Sequence, residues 1–550
     1  MKSMNKSIKT PKTVRFSEYV PGGSLKDYWH FDKEFTSNNP SKLKKVSDYI
    51  LSPEEVAKHA FFPLISATLK ERKISRKLKF DYYQEVLKNN PNDESVKSVC
   101  TDYINDFKEN GVNKVRTVTY ASHIDSHIYK RYYCLLKDAY ERKIKNTRLN
   151  DEVIAYRDLT GTKRNGVAIN FSNLIAAYDA VLEIKKRDNK CYALCFDISH
   201  FFDSIDHKIL KEQWAAILGC DSLPADHYNI YKSLTKFSYV DRQDIKEYVK
   251  GVSKILKATA SPHKIFSNAK DFRKFRKITG KIKKNPGLSK EGVSPHGIPQ
   301  GVCISSVLSN IYFLPFDKSI SDYIHGINGF YRRFCDDILI IIPNDPKLKE
   351  NCISFIKQRI SELGEALKIH PINEWDRYSK SQCYDFSDEI SSSRNPFEYL
   401  GISFDGKNVR VRQSSVSRYQ KKVIKAVNAF LIKKKQILWT EFLKKRTVRV
   451  FRKKQIRIDR KALYNYYTFN GSRNFVSYVN AIAKLFESEA VKKQLKSHCS
   501  RLSRLIEIAN NKLRKDVFSF LKLEREIKKM ISKEIVYTHR VVSKSDKSKQ

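Results

Sequence analysis

Asp336 and Asp337 stand side by side in Tyr331-Arg-Arg-Phe-Cys-Asp-Asp-Ile-Leu-Ile-Ile-Ile342, at the head of an apolar, β-branched run. Such a run predicts a buried strand. Two adjacent anions at its head are costly to bury unless a cation neutralises them. A hairpin over these residues turns one carboxylate outward. A divalent metal suits the pair, since Mg²⁺ is held by one or two carboxylates together with substrate phosphates.

A third carboxylate is placed in the same way far upstream. Cys191-Tyr-Ala-Leu-Cys-Phe-Asp197 reads as another apolar strand, ending in Asp197. It runs into a turn and helix whose cap is expected at Asp203 or Ser204. Between the two acidic strands lies Gly297-Ile-Pro-Gln-Gly301, a tight turn feeding a helix-like stretch from Val302 to Phe313. The order strand–Asp, Gly-x-Pro-Gln-Gly, aromatic-x-Asp-Asp resembles motifs A, B and C of a reverse-transcriptase palm. One motif alone is weak evidence, and three in order are strong.

That resemblance implies nucleotidyl transfer with two divalent ions, Mg²⁺ or Mn²⁺, about 4 Å apart. Asp197 and Asp336 are the expected ligand pair. Asp337 is a further ligand or electrostatic support, and the carbonyl of Ile198 completes the triphosphate side. Asp203 and Asp206 fall beyond the strand and read as caps or surface charge. Phe202 stands where reverse transcriptases resemble one another in carrying a large aromatic residue, which implies a ring against C2′ of the incoming sugar and a preference for dNTPs. Gln300, between glycines that admit close backbone approach, is expected to contact nucleotide or template. Arg116 and Arg157 are the candidate triphosphate cations, with Arg164 after them. The segment Leu367 to Ser379 has no clear motif D lysine at the place where the family resemblance leads one to seek it, with Asp376-Arg377 there instead. Phe334 stands where the family usually has Tyr.

The elements around these residues read as follows. Ser52-Pro-Glu-Glu55 is a helix start, and mostly helical pattern continues to about residue 150. Val115 to Tyr120 alternates like a strand, and Asp125 to Lys143 reads as a helix. Its aromatic stripe (Tyr129, Tyr132, Tyr133, Tyr140) reads as core packing. A basic segment at about 240–291, richest from Ala258 to Glu291, is expected to be an extended loop or insertion. Pro346 to Leu367 is an amphipathic helix, and Glu398 to Arg412 is a hairpin turning at Asp405-Gly406. From Ser414 the chain is helical and basic, with a frayed tail from Ser543 to Gln550.

Composition sets the class. Across 550 residues, 41% are hydrophobic and 12% aromatic, which excludes a disordered chain. Lys and Arg outnumber Asp and Glu by 105 to 60, and a formal charge of +45 points to a polyanionic partner. No apolar run of membrane-spanning length, signal peptide or lipidation signal is present, so nucleic acid is favoured over a membrane. Between Lys444 and Lys461 there are ten Lys or Arg and one Asp. Lys444, Lys445, Arg446, Arg449, Arg452, Lys453 and Lys454 are therefore the expected nucleic-acid contacts. The ten cysteines lack zinc spacing and read as reduced thiols of a cytosolic protein.

The motif order resembles group II intron and retron enzymes over roughly residues 110–420. Arg116 to Asp125, Val153 to Arg157 and Tyr399 to Lys407 look like the bacterial defence-associated and abortive-infection reverse transcriptases. The resemblance implies an α+β right-hand polymerase with an antiparallel palm sheet and a basic α-helical thumb. The expected division is an N-terminal arm at 1–50, fingers at 51–190, palm at 191–412 and a helical thumb at 413–550. The hairpin at Leu400-Gly401 resembles a primer grip. Expected partners are a non-coding RNA, dNTPs and the DNA product, in a bacterial cytoplasm and an anti-phage role; several such relatives form homo-oligomers. Template-independent or protein-primed synthesis on the same palm, and a catalytically silent RNA-binding scaffold, are the competing readings.

Overall fold

The computed structural model describes residues 31, 40–73, 75–159, 162–169, 171–248, 269–288, 292–372, 376, 378–386, 396–445, 448–451, 456–468 and 474–546. The chain divides into two compact units. One comprises Met1–Asp158 and Lys190–Ser387, the other Leu159–Asn189 and Asp388–Gln550. Of the N-terminal arm expected at 1–50, residues 1–30 and 32–39 lie outside the described residues, and its last part is a helix, Pro40–Leu51.

The first unit is built on an antiparallel five-stranded sheet. Its centre is the strand Cys191–Ser199, paired with Asp337–Pro343 on one side and with Lys368–Ile369 and Gln382–Asp385 on the other. Phe330–Phe334 closes the far side as a hairpin partner of Asp337–Pro343. Ile338 to Ile342 are all at most 1% exposed. Both faces of this strand are covered, which is why it reads as an unbroken apolar run rather than an alternating one. Burial of each such side chain contributes about 1.5–3 kcal/mol. Helices His123–Ile144, His207–Leu218 and Cys303–Tyr312 pack together over the sheet's apolar face in one continuous core that includes Trp214, Tyr129, Tyr132 and Tyr140. Tyr133 is only half-buried against it.

A second sheet of the same unit orders Asn113–Tyr120, Leu64–Arg72, Ser238–Asp241 and Lys283–Lys284. Leu64–Arg72 falls within a stretch that reads as helical in sequence. Its first three residues are buried and its last five exposed, so no strand-like alternation marks it. The described part of the basic segment is not a loop. Ala269–Thr279 is a helix, and its Phe275 is fully buried against Tyr248 and Ile65.

Local chemistry explains the ends of several elements. Ser52 caps Pro53–Lys58 by accepting from the Glu55 amide. The cap of His207–Leu218 is Asp206, which accepts from the Ile209 amide, and not Asp203 or Ser204; those two belong to a 3₁₀ turn, Phe201–Ser204. The helix from Pro346 ends at Ser361, short of Leu367, before Gly364 at φ +122°.

In the second unit, Phe397–Tyr399, Ile402–Phe404 and Val409–Val411 form a three-stranded meander, one strand more than the expected hairpin. Gln413–Lys445 packs along His498–Asp546, with Trp439, Phe442, Phe451 and Phe520 clustered between them and Lys435 paired to Asp516. The last helix continues to Asp546, past the expected fraying point. Among the described residues no helix is long and apolar enough to cross a membrane. All ten cysteines are free.

Candidate catalytic site

The acidic strands meet at one end of the five-stranded sheet. The register pairs Asp197 with Asp337, and the next hairpin pairs Phe334 with Asp337. Residues opposite each other in an antiparallel pair share a face, with Cβ atoms about 4.5–5.5 Å apart. Asp337 is therefore the direct cross-strand neighbour of Asp197, and Asp336 occupies the two-residue turn with Cys335. Burial, with the charge of Asp197 adding to it, pushes the Asp336 carboxyl above its ordinary value.

The turn itself is strained. Cys335 has φ +63°, a region that hairpins of this length usually give to Gly or Asn. Its carbonyl accepts from Arg333 Nη1 at 3.1 Å, and its sulfur accepts from the Tyr156 hydroxyl at 3.2 Å. Arg333 is fully buried and bound through both Nε and Nη2 to Asp317 at 2.6 Å. Tyr331 also donates to Asp317, and Asn310 links Arg333 to the Ala155 carbonyl. A buried ion pair thus grips the backbone at the tip that carries Asp336.

Two residues missed in sequence face Asp197. Lys380 Nζ stands 2.8 Å from Asp197 Oδ2 and 3.0 Å from His370 Nε2. His370 contacts Ser199 Oγ, and its amide donates to the Asp197 carbonyl. Burial first, then Lys380, pulls the His370 imidazole down to about 4. Lys380 lies one residue beyond the window in which a motif D lysine is sought, and it reaches the site because the following strand, Gln382–Asp385, pairs with Cys191–Ser199. Asp376 points elsewhere, accepting from the buried Tyr83 hydroxyl at 2.6 Å.

The turn Gly297–Gly301 is stitched to the segment after Asp197. The Gly297 amide donates to the Ile205 carbonyl, and the Ile298 amide to the Phe202 carbonyl. Thr119 donates twice to the Gln300 carbonyl, from its amide at 2.8 Å and its hydroxyl at 3.0 Å. A Cβ on Gly301 would stand 2.3 Å from the Thr119 carbonyl oxygen, so only glycine permits this approach. The Gln300 residue is exposed. Phe202 is half-buried beside the core, edge-on to the fully packed Phe201.

Of the expected cations, Arg116 is exposed on Asn113–Tyr120, two residues from Lys114 and hence on the same face. Burial, then Arg116 and Lys73, pulls Lys114 down to about 8, while Asp197 acts in the opposite sense. Lys114 is a second cation that sequence reading missed. Arg157 is a correction: its guanidinium is 3% exposed and committed to Glu141, Asn150 and Val153. Arg164 belongs to the other unit, where it pairs with Asp179 at 2.8 Å. Lys444 and Lys445 end the helix Gln413–Lys445 as exposed residues, and Arg449 lies in the 3₁₀ turn Val448–Phe451. Arg446, Arg452, Lys453 and Lys454 lie outside the described residues.

No group of three or more His, Cys, Asp or Glu among the described residues is arranged to hold a metal alone. Asp197 and Asp337 across one ladder, with the half-buried Asp336 on the adjoining turn, fit instead a hard cation that substrate phosphates help to hold.

A family model described as reverse transcriptase (RNA-dependent DNA polymerase) matches residues 108–404, which is more than half of the chain and includes every one of these acidic and glycine-rich segments. The telomerase reverse transcriptase of Oxytricha trifallax is 24% identical over 157 residues, covering 26% of this chain and 13% of that protein. The chain therefore spans a small part of that curated relative. Two solved structures of apo telomerase from Candida tropicalis are similar at 12% identity. One, truncated from the C-terminal domain, has a TM-score of 0.32 over 55% of this chain and 53% of that chain. The other has a TM-score of 0.34 over 72% and 57%. With the family model spanning the whole acidic sheet and the turn that braces it, the chain belongs to the reverse transcriptase family.

Proposed function

We propose that this chain is an RNA-directed DNA polymerase, a right hand of fingers, palm and thumb that makes DNA from dNTPs by two-metal nucleotidyl transfer. One observation carries the reading: the register of Cys191–Ser199 against Asp337–Pro343 sets Asp197 across from Asp337, with Asp336 on the adjoining turn, inside the span matched by the family. Asp197, Asp336, Asp337 and the Ile198 carbonyl are the groups that would hold Mg²⁺ or Mn²⁺. When bound, such ions lower the pKa of the primer 3′-hydroxyl and neutralise charge on the transferring phosphate.

The chain's own side chains supply the rest. Lys114 and Arg116, on one strand face, bring positive charge to the triphosphate. Gln300 contacts the nucleotide or template from its braced turn. Phe202 lies against the sugar and excludes a 2′-hydroxyl. Lys380 is the proton donor to departing pyrophosphate, a role in which general acids contribute about 10²–10⁴-fold. The basic helices after residue 413, with Lys444 and Lys445, track phosphates of the RNA and of the DNA product. A non-coding RNA partner, anti-phage defence in a bacterial cytoplasm and homo-oligomeric assembly belong to the same proposal. They rest on the sequence resemblance at Arg116 to Asp125, Val153 to Arg157 and Tyr399 to Lys407.

The test is synthesis by protein purified with its co-bound nucleic acid, given each dNTP singly and all four together with Mg²⁺. Product that needs all four dNTPs and is lost on ribonuclease pretreatment supports RNA-templated synthesis. Product from a single dNTP in ribonuclease-treated protein supports untemplated synthesis instead, and no product under any condition supports the silent scaffold.

A further inference from the structure

Away from the carboxylates, the first unit contains a cavity of about 490 Å³ whose wall combines Lys208, Lys211, Tyr228, Tyr231, Lys232 and Lys236. Ligand cavities run from about 300 to 1,000 Å³, so this one has room for a nucleotide. Two helices build it. Lys208 and Lys211 are one turn apart on His207–Leu218, and Tyr228, Tyr231 and Lys232 share a face of Ala225–Thr235.

Three features separate this wall from an ordinary charged surface. All four lysines are exposed, and among the described residues none of them is paired with a carboxylate. The lone acid in the wall, Asp206, is already engaged: one oxygen caps its helix through the Ile209 amide, the other accepts from Ser294 Oγ at 2.5 Å. Tyr228 is 45% exposed, stacked on Tyr231 with ring centroids 6.1 Å apart, and covered by Lys211 at 5.4 Å. An exposed aromatic platform ringed by unpaired cations is the arrangement that holds single-stranded nucleic acid, with a base on the ring and phosphates on the cations.

The cavity is also joined to the catalytic segments by the backbone. The His207 amide donates to the Pro295 carbonyl, and its Nε2 donates to the Gly297 carbonyl at 2.8 Å. Its wall is thus continuous with both the Phe202 turn and the Gly297–Gly301 turn.

We propose that this cavity is a second nucleic-acid site, which takes one unit of a single strand with the base stacked on Tyr228 and the flanking phosphates on Lys208, Lys211, Lys232 and Lys236. It rests on the polymerase reading only in that the ligand is nucleic acid.

The experiment measures binding of a fluorescein-labelled oligothymidylate of about 12 nucleotides to the full chain, by anisotropy across a salt series. Each lost phosphate contact takes about 0.7 from the salt slope for a single strand, so Lys208→Gln with Lys211→Gln lowers it by about 1.4. The control pair Lys347→Gln with Lys357→Gln, exposed on another helix, removes the same charge and leaves the slope unchanged. Tyr228→Ala weakens binding by about 5- to 150-fold, and Tyr228→Phe retains it. With 5-iodouracil in the oligomer, irradiation crosslinks Tyr228. Equal losses in the cavity and control pairs, no effect of Tyr228→Ala, or crosslinks confined to other residues overturn the proposal while the wild type still binds and extends primers. Displacement by polyglutamate with no dependence on Tyr228 also overturns it. Failure of the wild type to bind any oligomer overturns the polymerase reading with it.

Discussion

Arg333 gives the sharpest test of how the core positions the catalytic tip. Its guanidinium and the Asp317 carboxylate are both 0% exposed, and the pair is joined by two contacts of 2.6 Å. Replacing Arg333 by Met leaves Asp317 as an uncompensated buried charge, which costs about 3–5 kcal/mol. Adding Asp317→Asn removes that charge and keeps an acceptor for Tyr331, so more than half of the lost stability returns. The Cys335 carbonyl, however, has lost its donor in both variants, and the strained turn at φ +63° keeps only the Tyr156 contact to its sulfur. A misplacement of about 1 Å at such a tip lowers turnover by about 10²-fold. The assay pairs peptide-level hydrogen exchange over residues 330–343 with single-nucleotide incorporation. The expected result is recovered protection in the double variant with kcat still depressed. Full recovery of kcat alongside stability, or a loss below about 1 kcal/mol in the single variant, refutes the claim that this pair positions the tip.

Gly301→Ala puts a Cβ 2.3 Å from the Thr119 carbonyl oxygen at φ +115°. It should lower kcat/KM by at least about 10-fold, because the displaced Gln300 loses a geometry that a shift of about 1 Å disrupts; unchanged kinetics would show the approach to be dispensable. Phe202→Ala should reduce discrimination against ribonucleotides by about 10- to 200-fold, read from incorporation of each sugar type; an unchanged ratio removes Phe202 from the sugar contact. Burial lowers both His207 and His227 from their ordinary value of 6.5, and His227 Nδ1 accepts from Trp214, which needs a neutral ring. The unfolded chain then binds protons that the folded chain does not, so stability is full above 6.5 and falls as pH drops below it. Denaturant midpoints should decline as pH falls below about 6.5, less so in His207→Gln with His227→Gln; a midpoint that rises on acidification contradicts this.

The parts of the fold that were legible were those where one residue type dominates. The apolar run Ile338 to Ile342 announces a strand because both its faces are buried, and the aromatic stripe from Tyr129 to Tyr140 announces a core-facing helix. Leu64–Arg72 was not legible, since burial is confined to its first turn of sequence and the paired remainder is exposed. Candidate carboxylates could be named in sequence, but which of them stand opposite depends on the register between Cys191–Ser199 and Asp337–Pro343, strands far apart in the chain, which pairs Asp197 with Asp337. Cations were the least legible. In a chain with 105 of them, identity says little, and only the fold separates Arg157, buried against Glu141, from Lys380 and Lys114, gathered near Asp197.

The central claim is that Asp197, Asp336 and Asp337 form one catalytic cluster. Single-turnover incorporation of a dNTP on an RNA template, compared with binding of the same primer–template, tests it with Asp197→Asn and Asp336→Asn made separately. The account predicts that each variant binds primer–template as the wild type does and incorporates at least about 10²-fold more slowly, the loss expected when charge stabilisation at the reacting phosphate is removed. Incorporation at the wild-type rate in either variant would contradict it.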